Sequence, residues 1–342
     1  MRRIKCAVAG VALALFAWNG AAAQTAEQQA EWDKVVEAAK QEGTVTLYSG
    51  QLGVPYHPEI ARLFTEKYGI PVEILEGRAS EILERIRTEQ TTGRIVGDFS
   101  HSGGFSSYSM EKQGFYQPHG WLPNAHKLKK GFESDGTRVP IYVQPYGILV
   151  NSNLVPESER PKSWKDLLDP KWKGKILADD FRALGGGGLF FDVTYRTFGR
   201  EYHDQLVKQD IVFSRQIREN PRRVARGEFL IYIPLSMPDM LMNEGLPITP
   251  ISPEEGLMYV VYDVAVFNGA SHPNASKLLV NFFLEDEAQA VYARSGRGTT
   301  IEGGDTNIPE QAGYLRDMKL LGQSDVERTQ EMLQLATEIY GR

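Results

Sequence analysis

The densest run of chemistry-bearing residues is Asp179-Asp180-Phe181-Arg182, followed closely by four glycines, Gly185 to Gly188. Glycines let backbone N–H groups approach a ligand, and a helix N-terminus behind them favours an anion. Arg182 offers a planar fork to a carboxylate or phosphonate. The competing roles are a flexible turn and a surface ion pair of Arg182 with Asp179 or Asp180. The run lacks the Gly-Lys-Ser/Thr ending of a nucleotide-binding loop. Asp180, Arg182, Gly185 and Gly186 are therefore candidates for contact with an anionic solute.

Other candidates lie where strands give way to loops. Ser49, Gly50 and Gln51 supply a hydroxyl, bare backbone and an amide, or serve only as a turn. Arg78 is a second cation beside Ser80, which reads as a helix N-cap. His101 and Ser102 follow a short strand; a lone histidine also serves as a structural hydrogen-bonding residue. Ser236 sits in Pro234-Leu235-Ser236-Met237-Pro238, capping a helix or facing a ligand. Tyr142, Tyr146 and Tyr262 offer aromatic faces and phenols, with core packing as the alternative; Tyr146 and Tyr262 join the candidate set. Nothing here reads as catalytic. There is no Gly-x-Ser-x-Gly and no His-Glu-x-x-His, and His101 and Ser102, as strand neighbours, point to opposite faces. The one cysteine, Cys6, allows neither an intrachain disulfide nor a cysteine-based zinc site.

The elements that must position these groups follow from periodicity. Helical spacing covers Glu31–Gln41, the stretch from near Pro58 to Tyr68, and a segment after Ser80. Strands read at 44–48, 70–75 and 96–100. Strands alternating with helices indicate a mostly parallel α/β sheet. A second set follows: a short helix opened by Ser163, a strand at 176–178, a helix to Lys208, a helix opened by Asn220-Pro221, and a strand at 229–233. Val139–Val150 and Met258–Phe267 are long, apolar and β-rich, suited to cross between two such units. Helices at 275–284, 287–294 and 324–340 complete the chain. In open α/β sheets, ligands bind at the carboxyl ends of strands. Two sheets joined by two crossing strands would face each other across a cleft.

The whole chain of 342 residues, 42% hydrophobic and 24% charged, is long enough for two domains and too ordinary in composition for disorder. With 38 Lys+Arg against 44 Asp+Glu, a sequence-blind nucleic-acid binder is not expected. Residues 1–23 read as a secretory signal peptide: Arg2, Arg3 and Lys5, an apolar run from Cys6 to Trp18, then small residues to Ala23. The run is well below the ~20 residues that span a bilayer. Removing those three cations takes the net charge from −6 to −9. The mature chain is expected in the periplasm.

Four segments carry a resemblance. Val45-Thr46-Leu47-Tyr48-Ser49-Gly50-Gln51, Phe64–Val72, Pro161–Ile176 and Val224-Ala225-Arg226-Gly227-Glu228 with its following strand are similar, in order, to the ferric-iron-type periplasmic solute-binding proteins. The resemblance implies a type II two-lobe fold, each lobe a mostly parallel sheet flanked by helices, hinged on two crossing strands. It implies a monomeric receptor without cofactor that delivers a small solute to an ABC permease in the inner membrane. On this reading one lobe comprises 24–145 and 262–305, the other 146–261 and 306–342. The chain departs from the iron-binding members at Leu52, Gly103, Pro234 and Leu235, where they carry histidine, carboxylate and two tyrosines. Iron(III) needs anionic oxygen ligands, so a small organic anion is the expected solute. The alternatives are a ferric-iron carrier, a sensory binding protein and a periplasmic hydrolase.

Overall fold

The computed structural model describes residues 25–304 and 308–341; the signal peptide expected at 1–23 lies outside them. In chain order the chain forms α1 (Ala26–Glu42), β1 (Val45–Ser49), α2 (Tyr56–Tyr68), β2 (Val72–Glu76), α3 (Ala79–Thr92), β3 (Phe99–Gly103) and α4 (Gly104–Lys112). The long strand β4 (Val139–Asn151) leads to β5 (Ile176–Ala178), α5 (Gly186–Leu206), β6 (Val212–Phe213), α6 (Asn220–Ala225), β7 (Ile231–Ser236) and β8 (Ile248–Ile251). Then come β9 (Leu257–Val266), α7 (Pro273–Phe282), α8 (Asp286–Arg294), β10 (Gly298–Thr299), β11 (Leu320–Gly322) and α9 (Thr329–Tyr340).

The strands form one continuous sheet in the order β2-β1-β3-β9-β4-β7-β5-β6, with β8 and β10 also pairing β4 and β11 pairing β9. Its two ends, β2-β1-β3 and β7-β5-β6, are parallel. Between them β4 and β9 run antiparallel from Val139↔Val264 to Tyr146↔Met258. These are the two crossing strands, and they divide the molecule into two lobes. Each lobe buries its own interior. One core gathers residues between Trp32 and Tyr142 and between Val264 and Ile301. Another gathers residues between Ile148 and Met258 and between Met332 and Tyr340. The apolar positions that gave helical and strand periodicity are the ones that face these cores: Ile60 and Phe64 on α2, Val45 and Leu47 on β1.

Three local expectations are corrected. The third strand is Phe99–Gly103, not 96–100, because the Glu89 carboxylate takes the N–H groups of Val96 and Gly97 (2.9 and 3.2 Å) and Val96 faces solvent. His101 thus lies inside the strand. Arg78, not Ser80, is the N-cap of α3; Ser80 is exposed in the first turn. The strand at 229–233 starts later and continues through Pro234 to Ser236. Its β5 partner ends at Ala178↔Ile233, and the pairing with β4 shifts register between Gly147 and Leu149. Pro234, which has no N–H to donate, falls in that break of the ladder.

Candidate functional site

Between the lobes lies a cleft of about 740 Å³, a volume suited to a small solute. Its first-lobe wall comprises the Gly50–Tyr56 loop after β1, Gly77-Arg78-Ala79 at the head of α3, Tyr262 on β9, and Arg294, Ser295 and Arg297 after α8. The second-lobe wall comprises Tyr146 on β4, Asp179 after β5, Gly185-Gly186 at the head of α5, the Arg215–Arg218 loop, and Pro234 to Met242. At the mouth, Arg218 Nη2 donates to the Leu52 carbonyl across the gap (3.2 Å).

Arg297 is the most deeply set cation of the cleft, only 8% exposed. Its guanidinium lies 4.5 Å from the Tyr56 ring centroid and 5.5 Å from that of Tyr142. Nη1 donates to the Ser295 carbonyl (2.9 Å), while Nε is buried without a partner. Tyr56 and Tyr142 are themselves joined hydroxyl to hydroxyl (2.9 Å). Among the described residues, no carboxylate lies within ion-pair distance of Arg78, Arg215, Arg218 or Arg297. The cleft wall holds five arginines against three carboxylates, Glu59, Asp179 and Asp239, and Glu59 is paired to Arg294 (2.7 Å). In a chain of net charge −6 this is a local reversal of sign.

From the crossing strand β4, Gln144 donates to two second-lobe groups, the Tyr146 hydroxyl (2.8 Å) and Ser236 Oγ (3.3 Å). Burial pushes the Asp239 carboxyl up to about 6, against the pull of Arg297 and Ser236. Burial also raises Asp179, whose Oδ2 accepts the Gly187 N–H at the start of α5 (2.8 Å). Gly185 holds φ +129, open to glycine, and a Cβ on Gly187 would lie 2.3 Å from the Asp180 carbonyl.

Eight of the fourteen candidates line the cleft: Gly50, Gln51, Arg78, Tyr146, Gly185, Gly186, Ser236 and Tyr262. Six do not. Ser49 is buried behind the loop and accepts the Gln51 N–H. Ser80 sits on the outer face of α3. His101 and Ser102 are buried behind the cleft wall, bordering a small adjoining pocket. Asp180 and Arg182 are turned to each other (2.8 Å), with Arg182 also donating to the Tyr340 carbonyl and stacked on Phe213. The anion expected at the glycine-flanked helix terminus is the protein's own Asp179 carboxylate. Arg182 is consequently not a wall residue.

Arg297, Asp239, Arg215 and Arg218 were not among the candidates. The signal for Arg297 is the triplet Gly296-Arg297-Gly298: a Cβ on Gly296 would meet the Tyr314 hydroxyl at 2.7 Å, and one on Gly298 would meet Met318 at 2.6 Å. The flanking glycines let the chain pass close while carrying a cation. At the places where the iron-binding pattern differs, Leu52 is exposed on the rim, Gly103 packs under the Tyr262 ring, Pro234 lines the cleft and Leu235 is buried in the core. Among the described residues, no three His, Cys, Asp or Glu side chains group so as to hold a metal ion. None of the described helices is long and apolar enough to cross a membrane.

Two lobes on two crossing strands, with a polar cleft between them, define the type II periplasmic-binding-protein architecture. Residues 100–316 match the model of the bacterial extracellular solute-binding proteins, and the chain belongs to that family. It is similar to a Salmonella typhimurium periplasmic protein named for binding 2-aminoethylphosphonate, at 24% identity over 66% of this chain and 68% of that one. Among solved structures, iron-bound HitA from Pseudomonas aeruginosa superposes with a TM-score of 0.68 at 21% identity, covering 86% of this chain and 99% of that one. AfuA from Actinobacillus pleuropneumoniae, with fructose-6-phosphate bound, gives 0.66 at 20% identity, covering 87% and 99%.

Proposed function

We propose that the protein is the periplasmic receptor of an ABC-type importer and captures a small organic anion: a carboxylate, phosphonate or sugar phosphate. The observation that carries this reading is the set of four cleft arginines without a carboxylate partner, Arg297 foremost. A buried guanidinium donor without an acceptor is costly, and an anionic oxygen relieves that cost. The similar proteins named above for 2-aminoethylphosphonate and seen with fructose-6-phosphate support the same chemistry. No covalent step is required, and the receptor works as a monomer.

The proposed division places 24–145 with 262–305 in one lobe and 146–261 with 306–342 in the other. Solute binds between them, the lobes rotate about β4 and β9, and the closed form docks on the permease. Periplasmic binding proteins are a standing example of such hinge closure. The solute shifts the balance only because it touches both walls when closed.

Thermal-shift measurement against small carboxylates, phosphonates, sugar phosphates, neutral sugars and ferric citrate tests this. A ligand that binds only the folded state raises Tm, by about 2.7 kcal/mol of stabilisation at a hundredfold excess over Kd. At least one organic anion should raise Tm and compact the solution scattering profile. A response confined to neutral sugars or to ferric citrate overturns the reading.

A further inference from the structure

Behind the Gly50-Gln51 loop lies a second, smaller pocket of about 50 Å³. It shares Gly50, Gln51, Ala79 and Tyr262 with the cleft wall, and His101 stands in its lining. The space suits one water or one small polar group, not a ring. His101 is fully buried, and its Nε2 has no hydrogen-bond partner.

The Glu76 carboxylate accepts from His57 Nδ1 at 2.6 Å, so that nitrogen carries a hydrogen. Burial lowers both imidazoles, with Arg297 adding to the effect, so each holds a single proton near neutral pH. His57 Nε2 is then bare. It faces His101 Nδ1 at 2.8 Å, a separation that requires one hydrogen between them, so His101 Nδ1 is the donor. His101 Nε2 is left as a bare, buried acceptor. Ser49 Oγ, which accepts from the Gln51 N–H, also sits 3.5 Å from His57 Nε2, consistent with that nitrogen being an acceptor. The charged groups around the pair are Glu76 from β2 and Arg297 after α8; the remaining neighbours are tyrosine rings, Tyr56, Tyr142 and Tyr262.

We propose that this pocket is a subsite of the cleft in which His101 Nε2 accepts a hydrogen bond from a donor on the solute, an ammonium or hydroxyl group. The inference rests on the organic-anion reading and refines it: the solute carries an anionic end for Arg297 and a donor for His101. The orphaned acceptor is what selects against solutes without that donor, because they leave it unpaired.

The test uses three probes of similar size: 2-aminoethylphosphonate, 2-hydroxyethylphosphonate and propylphosphonate. Calorimetry on the full-length mature protein should show a donor-bearing probe binding at least about 10-fold tighter than propylphosphonate. In His101→Leu that preference should vanish while propylphosphonate affinity changes by less than about threefold. Equal binding of all three to the unaltered protein overturns the subsite and leaves the anion reading standing; the pocket then holds only a water. Failure of all three to bind counts against the anion reading for phosphonates. The nitrogen-15 resonances of His101 test its acceptor state, on which the subsite depends, independently of any ligand and of the variant's folding. A bare Nε2 at pH 7.5 upholds the acceptor, and a protonated Nε2 overturns it.

Discussion

The two walls of the cleft are built differently. On the first lobe, Arg297 and Tyr56 are buried in the wall and braced from behind: Arg297 on Tyr56 and Tyr142, the two tyrosines on each other, and His57 between Glu76 and His101, while Arg78 and Arg294 stand exposed on the same wall. On the second lobe, Arg215 and Arg218 stand in solvent on a loop, and Leu184, Ile217 and Met242 expose apolar surface on the rim. A wall whose rotamers are locked recognises with little ordering cost. A wall of exposed, long side chains pays that cost on contact, and suits closing over a solute already held. Under the proposed function, the contrast predicts recognition by the first lobe and capture by the second.

The largest expected effect concerns how rigidly the first lobe holds its buried charges. Asp263 on β9 faces Ser107 and lies 4.0 Å from Arg138, and burial raises its carboxyl to about 7. A carboxyl raised in the folded state stabilises the fold at low pH. As pH climbs from about 4 to about 7, the unfolded chain ionises first and that contribution is lost, up to about 4 kcal/mol. Asp263→Asn is neutral throughout. Urea titrations from pH 4 to pH 8 should show the unaltered protein losing stability relative to this variant as pH rises. A difference independent of pH would mean that the carboxylate is solvated and that the first lobe's interior is looser than described.

Next comes the anchor. Arg297→Met should weaken binding of the best organic anion by about 100-fold, as expected for removing a buried charge that meets an opposite one. Arg218→Ala, on the exposed wall, should cost less than about 10-fold, chiefly in the association rate and with a strong dependence on salt. Stopped-flow binding at two ionic strengths separates the two. Equal losses, or a larger loss at Arg218, would break the assignment of recognition to the first lobe.

The fold was readable in the sequence because it rests on local periodicity. Ile60 and Phe64 at helical spacing and the buried run Val45–Tyr48 announce their elements without tertiary information. The long apolar strands Val139–Asn151 and Leu257–Val266 are visible for the same reason. Element ends were less readable. Val96 looks like strand, but the Glu89 carboxylate takes its N–H from a helix seven residues earlier. The site was legible only in part. Loops after strands, such as Gly50-Gln51 and Gly185-Gly186, follow from topology. Which arginine faces the cleft does not. Arg182 is neutralised by a carboxylate two residues away, whereas Arg297 depends on Tyr56 and Tyr142, some 240 and 155 positions distant in sequence, for its place. No pattern within a helix or strand contains that information.

The smallest effect separates the two arginines most cleanly. Arg182 has the better local case for binding an anion, next to a glycine run and a helix terminus. In the fold, however, its Nε meets Asp180 Oδ1 at 2.8 Å, its Nη2 meets Oδ2 at 3.0 Å, and its plane lies 5.0 Å from the Phe213 centroid. The helix terminus is already served by Asp179. Arg182→Ala should therefore leave the affinity for every organic anion within about twofold, and lower stability by no more than about 1 kcal/mol, since the ion pair is partly screened by solvent. Calorimetry with the best anion, run beside Arg297→Met, gives the comparison. If Arg182→Ala abolished binding while Arg297→Met spared it, recognition would belong to the second lobe, and the roles of the two walls would be exchanged.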